Sequence, residues 1–355
     1  MKLDIIRWGA ALGVALCASF VTAAAADYPA PKEGEWVARN FKFHTGEVLP
    51  ELRLHYTTIG SPSGQPVVIL HGTGGSGTKL LTPAFAGELF GPGAPLDASK
   101  YYIILPDAIG HGASSKPSDG MRVKFPKYDY VDLVESQQRL VEEGLGLHHV
   151  RVVMGYSMGG METWIWGERH PGFMDALVPM ASQPSPMSSR NWMLRRMLIE
   201  EIRNDPGYKG GDYTTQPASA RLAYANHLIA SAGGTLAYQA LTPTREQADA
   251  YVDKLVGSLA DVDANDLLFA YSASADYDPS PDLGRIAAPT LAINSADDER
   301  NPPETGLMDK YLGQVRGGRV YLIPASEDTR GHGTMVLAKF YTRPLAEFLQ
   351  ALPAK

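Results

Sequence analysis

The chain has almost no cysteine: Cys17 is the only one in 355 residues. It falls within the first 26, so from residue 27 onward disulfides, a thiolate nucleophile and a Cys-ligated zinc site are all excluded. Long apolar runs are also missing. After residue 26 no stretch is long and apolar enough to span a bilayer as a helix. There is no basic excess either: the net charge of −7 leaves no electrostatic footprint for nucleic acid. No internal repeat or low-complexity linker interrupts the chain, and its length allows one large domain or two small ones.

The first 26 residues differ from the rest. Lys2 and Arg7 supply a basic start, residues 8–22 are almost wholly apolar, and residues 23–26 are all alanine. This is the pattern of a secretory signal peptide. Cleavage is expected after Ala26, giving a periplasmic or secreted protein with no stable membrane insertion once the signal is removed; an uncleaved anchor is the alternative. Leu16 before Cys17 is too large for a lipoprotein cleavage site.

The most informative segment is Val152-Val153-Met154-Gly155-Tyr156-Ser157-Met158-Gly159-Gly160. A short apolar strand runs into Gly-x-Ser-x-Gly and then into a helix-forming stretch at 161–169, the nucleophile-elbow pattern. The tight turn demands small flanking residues, which Gly155 and Gly159 provide. Ser157 would then stand clear of the sheet at a helix N-terminus, where the dipole favours a developing oxyanion. A serine needs a base beside it and a third group to orient that base, expected here in the chain order Ser, acid, His. Residues 289–294 read as a strand ending in Ser295-Ala296-Asp297-Asp298. Asp298 is preferred, because the usual loop sets the acid four residues before a proline, here Pro302; Asp297 is the alternative. Of the nine histidines only His332 follows both serine and acid, in the loop after the strand at 319–323. An ordinary turn serine, a helix-capping aspartate and a solvated loop histidine are the plain alternatives. All three in this order, each after a strand, are much less expected by chance.

The oxyanion site is expected from the loop His71-Gly72-Thr73-Gly74-Gly75-Ser76-Gly77 after the strand at 67–70. The backbone N–H groups of Thr73 and Met158 are the candidate donors. The loop lacks the Gly-Lys-Ser/Thr ending of a phosphate loop and the glycine spacing of a dinucleotide site. His71 reads as an anchor for the loop rather than a second base.

Strands at 67–70, 102–105, 151–154, 176–180, 290–294 and 320–323 are separated in many places by helical patterns, notably 130–144, and follow a strand-rich segment at 36–60. The alternation predicts an α/β fold with a doubly wound, mostly parallel sheet, whose ligands bind at the carboxyl ends of the strands. The stretch 182–283 breaks it, with helical segments at 191–203, 218–230 and 244–259 and no convincing strand. Expected units are therefore a signal peptide at 1–26, a core at 27–182, a helical cap at 183–285 and the rest of the core at 286–355. Met187, Trp192, Met193, Met197 and Tyr224 in the cap are candidates to line a substrate cavity, with core packing as the plainer reading.

With these residues in view, the chain resembles the homoserine O-acetyltransferase-like branch of the α/β-hydrolase superfamily over most of its length after residue 26. Ser157-Met158-Gly159-Gly160-Met161 is similar to that branch's nucleophile segment, and residues 204–213, Asn-Asp-Pro-Gly-Tyr-Lys-Gly-Gly-Asp-Tyr, to a stretch early in its cap. Ala220-Arg221-Leu222 resembles the cap helix that carries a substrate-binding arginine. The resemblance implies an α/β-hydrolase fold with a helical cap, acyl transfer through an acyl-serine, and Arg221 as a substrate contact. Tyr156, where a small residue is usual, joins Arg221 as a candidate contact. Gly333 follows His332 where the acetyltransferases carry an aspartate for the amino-acid substrate, which turns the expectation from transferase toward hydrolase. The expected activity is an exported serine hydrolase of a carboxylic ester or related acyl bond; an acyltransferase with a non-water acceptor is the alternative, and a non-catalytic binding protein the outlying one. No cofactor and no metal are expected. The expected partners are a small acyl substrate and a second copy of the chain meeting through the cap.

Overall fold

Eight strands form one sheet in the computed structural model, which describes residues 27–353. The expected signal peptide and Cys17 lie outside that range. The strands are β1 (Lys32–Lys42), β2 (Val48–Ile59), β3 (Gln65–Leu70), β4 (Tyr101–Pro106), β5 (Val150–Tyr156), β6 (Met174–Met180), β7 (Leu291–Ser295) and β8 (Arg319–Ile323), in the order β1-β2-β4-β3-β5-β6-β7-β8. β1 and β2 form an antiparallel hairpin, and β2 joins β4 antiparallel. From β4 to β8 every pairing is parallel. The chain therefore has the α/β-hydrolase architecture expected of it.

The central strands are apolar on both faces, as parallel strands covered by helices must be. Val67, Val68, Ile69, Val152, Val153 and Met154 have no exposed surface. Alternate residues feed two cores. Val68, Leu70 and Val153 pack with Trp164 and Trp166; Val67, Ile69 and Val152 pack with Tyr341 and Phe348. The helices of the core are α1 (Ala86–Leu89), α2 (Tyr130–Arg139) and α3 (Met158–Arg169), with further helices after β6. Asp129 caps α2, accepting from the Asp132 N–H, and at its far end the helix loosens into a wider turn over Leu140–Gly144.

Between β6 and β7 the chain adds α4 (Ser189–Arg203), α5 (Ala218–Ser231), α6 (Thr235–Leu241), α7 (Arg245–Ser258) and α8 (Ala264–Ser272). These helices have an apolar cluster of their own, with Ile199, Ile202, Tyr224 and Tyr271 at its centre. They also touch the loops at the strand ends. Gly333 N–H donates to Ala232 O at 3.1 Å, and Arg300 Nε donates to Ser231 Oγ at 2.9 Å. α9 (Leu307–Leu312) and α10 (Thr342–Gln350) complete the core. No described helix is long and apolar enough to cross a membrane.

Candidate active site

Ser157 stands at the junction of β5 and α3 with φ 56° and ψ −116°, a conformation L residues seldom adopt. Close packing holds it there. Ser157 N–H donates to Met180 O at 2.9 Å, and Gly159 N–H to His71 O at 3.1 Å. A Cβ at Gly155 would lie 2.4 Å from Gly159 O, and one at Gly159 2.3 Å from Leu70 O. Neither position can take a side chain, which is the steric meaning of the Gly-x-Ser-x-Gly spacing.

Ser157, His332 and Asp298 form a hydrogen-bonded chain. The Ser157 hydroxyl lies 2.7 Å from His332 Nε2. His332 Nδ1–H lies 3.0 Å from each Asp298 oxygen. All three are buried. Asp298 also accepts from Arg300 N–H at 2.8 Å and Asn301 Nδ2–H at 3.1 Å. Burial pushes the Asp298 carboxyl up, but the His332 charge and these hydrogen bonds outweigh it and leave the net shift downward. Burial pulls the His332 imidazole below its ordinary value against the opposing pull of Asp298, so at neutral pH the ring is free to accept a proton.

Asp297 faces elsewhere. Its carboxylate accepts from Ser295 Oγ, from Thr329 Oγ1 at 2.8 Å and from Gly331 N–H at 3.2 Å. It ties the loop after β7 to the one carrying His332, and of the two aspartates only Asp298 meets the imidazole.

His71 holds the glycine loop: Nδ1–H donates to Gly72 O at 2.9 Å and Nε2 accepts Ala108 N–H at 3.1 Å. Burial keeps the ring neutral, as that pattern requires. Thr73 lies on this loop. Met158 is the first residue of α3, so its N–H has no acceptor within the helix. Tyr156 is half-buried beside the serine, its hydroxyl held at the Gly72 backbone. A cleft of about 300 Å³ runs alongside, lined by Gly74, Gly75 and Tyr224 together with residues of the α8 segment.

Arg221 does not join the group; it is exposed on α5. Met193 and Met197 are 64% and 54% exposed on α4. Arg195 takes the inward position on α4, and residues two away on a helix point to the opposite side.

Sequence reasoning missed two guanidinium groups. Arg195 has no exposed surface and lies 5.3 Å from the centre of the Tyr271 ring. Arg300, two residues after Asp298, is also buried. Both charges act on His332. A signal existed for Arg195: with Leu198, Ile199 and Ile202 it occupies the 0, 3, 4, 7 stripe that a helix normally fills with apolar residues. His227 and Tyr271 complete this wall, their rings 4.9 Å apart.

Comparison with known proteins agrees with the fold. The family model described as alpha/beta hydrolase fold matches residues 65–312. A protein named as a probable acyltransferase, from Methanothermobacter thermautotrophicus, is 29% identical over 273 residues, covering 74% of this chain and 82% of that one. The homoserine O-acetyltransferase of Thermobifida fusca is 31% identical over 206 residues, 53% of this chain and 54% of its own, so the match spans about half of that enzyme. Among solved structures, a homoserine O-acetyltransferase from Bacillus anthracis superposes with a TM-score of 0.77 at 20% identity, covering 92% of this chain and 99% of that one. An acetylester hydrolase from Corynebacterium glutamicum gives 0.78 at 23% identity, covering 90% and 96%.

Proposed function

The chain belongs to the α/β-hydrolase family, and from that premise we propose that it is a serine hydrolase of small carboxylic esters, related to the homoserine O-acetyltransferase-like branch. The observation that carries the reading is the hydrogen-bonded chain from Ser157 through His332 to Asp298 at a strained strand-to-helix turn.

In this reading Ser157 Oγ attacks the ester carbonyl as His332 Nε2 takes its proton. Asp298 fixes the tautomer with hydrogen on Nδ1 and stabilises the imidazolium that forms. The N–H groups of Thr73 and Met158 receive the negative charge on the carbonyl oxygen, with the helix dipole of α3 adding to them. His332 then protonates the leaving alcohol, and the acyl group stays on Ser157. Water enters, His332 removes its proton, and collapse of the second tetrahedral intermediate releases the acid and restores the serine.

An acyltransferase is the second reading, because relatives carry acyltransferase names. It differs only in which nucleophile meets the acyl-serine. Gly333 places no carboxylate after His332 to pair with an amino-acid ammonium, and an unpaired buried ammonium is costly; this favours water or an acceptor without an amine. Export, as the N-terminal sequence suggests, belongs to the same proposal.

A fluorophosphonate probe should label the protein at Ser157, and p-nitrophenyl acetate should be hydrolysed. Ser157→Ala should abolish labelling and lower kcat by several orders of magnitude, since a triad acts as a unit. Labelling that persists in that variant removes Ser157 from the role. Mass analysis of products with alcohols present separates transfer from hydrolysis.

A further inference from the structure

Two buried arginines stand beside the proposed reaction centre without a carboxylate of their own. Among the described residues neither Arg195 nor Arg300 has an acidic oxygen within ion-pair distance, although twelve other arginines do. Each is partly held by neutral groups. Arg195 Nε donates to Asn191 Oδ1 at 2.9 Å and Nη1 to Ser274 Oγ at 3.1 Å; Arg300 Nε donates to Ser231 Oγ at 2.9 Å. In both, Nη2 is buried and meets no hydrogen-bond acceptor among the described residues. The Tyr130 hydroxyl is approached by both Arg195 and Thr73 Oγ1 without completing a hydrogen bond. The unsatisfied polar atoms thus extend from the glycine loop to the wall of cap residues.

The local charge does not balance. Asp298 is the carboxylate acting on Arg300, and it is already shared by His332, Arg300 N–H and Asn301. Asp297 is taken up by Ser295, Thr329 and Gly331. Glu162, beside Tyr130, is pushed by burial to about 8 and is a neutral acid at pH 7. Burial and the two arginine charges hold the His227 ring neutral. Two permanent positive charges therefore face one negative charge. A guanidinium does not shed its proton to escape burial, and a buried charge needs a partner.

We propose that Arg195 and Arg300 form a carboxylate-binding subsite, so that the ester this protein hydrolyses carries a free carboxylate near its scissile bond. The inference rests on the hydrolase reading for the chemistry and on the two unpaired guanidiniums for the substrate class. A single carboxylate matches the excess of one positive charge, and its two oxygens suit one free Nη2 from each arginine. Arg195 comes from α4 and Arg300 from the loop carrying Asp298, so binding the anion would tie the cap to the acid loop.

The test has two arms. In the first, kcat/KM is measured for mono-p-nitrophenyl succinate, with the carboxylate on the acyl side, for 3-acetoxypropionate, with it on the alcohol side, and for neutral p-nitrophenyl butyrate and ethyl acetate as respective controls. The expected result is a preference of at least about tenfold for one anionic ester over its neutral control, and that ester identifies the side. The ratio of anionic to neutral kcat/KM should fall at least tenfold in Arg195→Gln and in Arg300→Gln. In the second arm, succinate should raise the Tm of Ser157→Ala and fail to do so once Arg300→Gln is added. Arg195→Lys and Arg300→Lys keep the charge, so they serve where a glutamine variant does not fold, and they should show the same loss of ratio in weaker form. Ester turnover with no anionic preference, or a preference unchanged in the arginine variants, overturns the subsite while leaving the hydrolase reading intact. Succinate stabilisation that depends on Arg300, without turnover of any ester, supports the subsite and counts against the hydrolase reading.

Discussion

His332 is buried beside Asp298, and the two influences oppose each other. Burial disfavours the imidazolium, the carboxylate favours it, and burial prevails with help from the Arg300 and Arg195 charges. A base whose pKa is depressed is deprotonated, and so active, down to a lower pH. The acid limb of kcat/KM for a neutral ester should therefore lie below 6.5, with activity flat through neutrality. A limb above 7 in the free enzyme would mean that Asp298 outweighs burial. The same geometry separates the two aspartates. Asp298→Asn keeps the shape but cannot stabilise the imidazolium, and should lower kcat by about 10³- to 10⁴-fold. Asp297→Asn loosens the bonds to Thr329 and Gly331 and should lower Tm more than it lowers kcat. Steady-state kinetics beside thermal melts of both variants check this. At this scale the sequence was legible where chemistry dictates a local pattern. Ser157 is announced by its glycines, and His332 by being the last histidine. Arg195 and Arg300 were not, because a sequence displays charge but not burial, and only the fold shows that both are buried with no carboxylate within ion-pair distance among the described residues.

Elements were easiest to read where they are most buried. β3, β5 and β6 are short apolar runs ended by polar or glycine residues, and they lie within a few residues of where the sequence puts them. α6 and α8 were missed for different reasons. α6 has seven residues after two glycines, too short for a period to show. α8 contains Leu267-Leu268-Phe269-Ala270-Tyr271, apolar in every direction, so no helical face stands out. The elbow is the opposite case, since its sequence follows from contacts that can be tested. Gly159→Ala places a Cβ 2.3 Å from Leu70 O, where backbone of a central strand would have to give way. That should cost roughly 3 kcal/mol or more, seen as a lower Tm and less soluble protein. Gly172→Ala, with nothing within 4 Å of the new atom, is the control and should melt within a few degrees of the parent.

Over the whole molecule, charge is segregated. The chain carries −7 in total, while its interior holds two guanidiniums whose charges reach His332 and which, among the described residues, have no carboxylate within ion-pair distance. The cleft along the glycine loop does not continue that positive interior: Lys79 and Lys116 share its wall with Asp261, Asp263 and Asp266. An anionic ester would approach against the field of the whole protein and be held by groups that water and salt scarcely reach. The two effects respond differently to ionic strength. Repulsion at the surface weakens as the Debye length falls from ~30 Å at 0.01 M to ~8 Å at 0.15 M salt, whereas a buried pair is screened much less. For the preferred anionic ester, kcat/KM should therefore rise about twofold over that range as screening removes the repulsion, with kcat unchanged. The neutral control should show no such slope, which separates charge screening from a general effect of salt on the enzyme. If kcat/KM for the anionic ester instead falls steeply with salt, the anion is held by exposed lysines of the cleft, and Lys79→Gln or Lys116→Gln, rather than the arginine variants, should then abolish the preference.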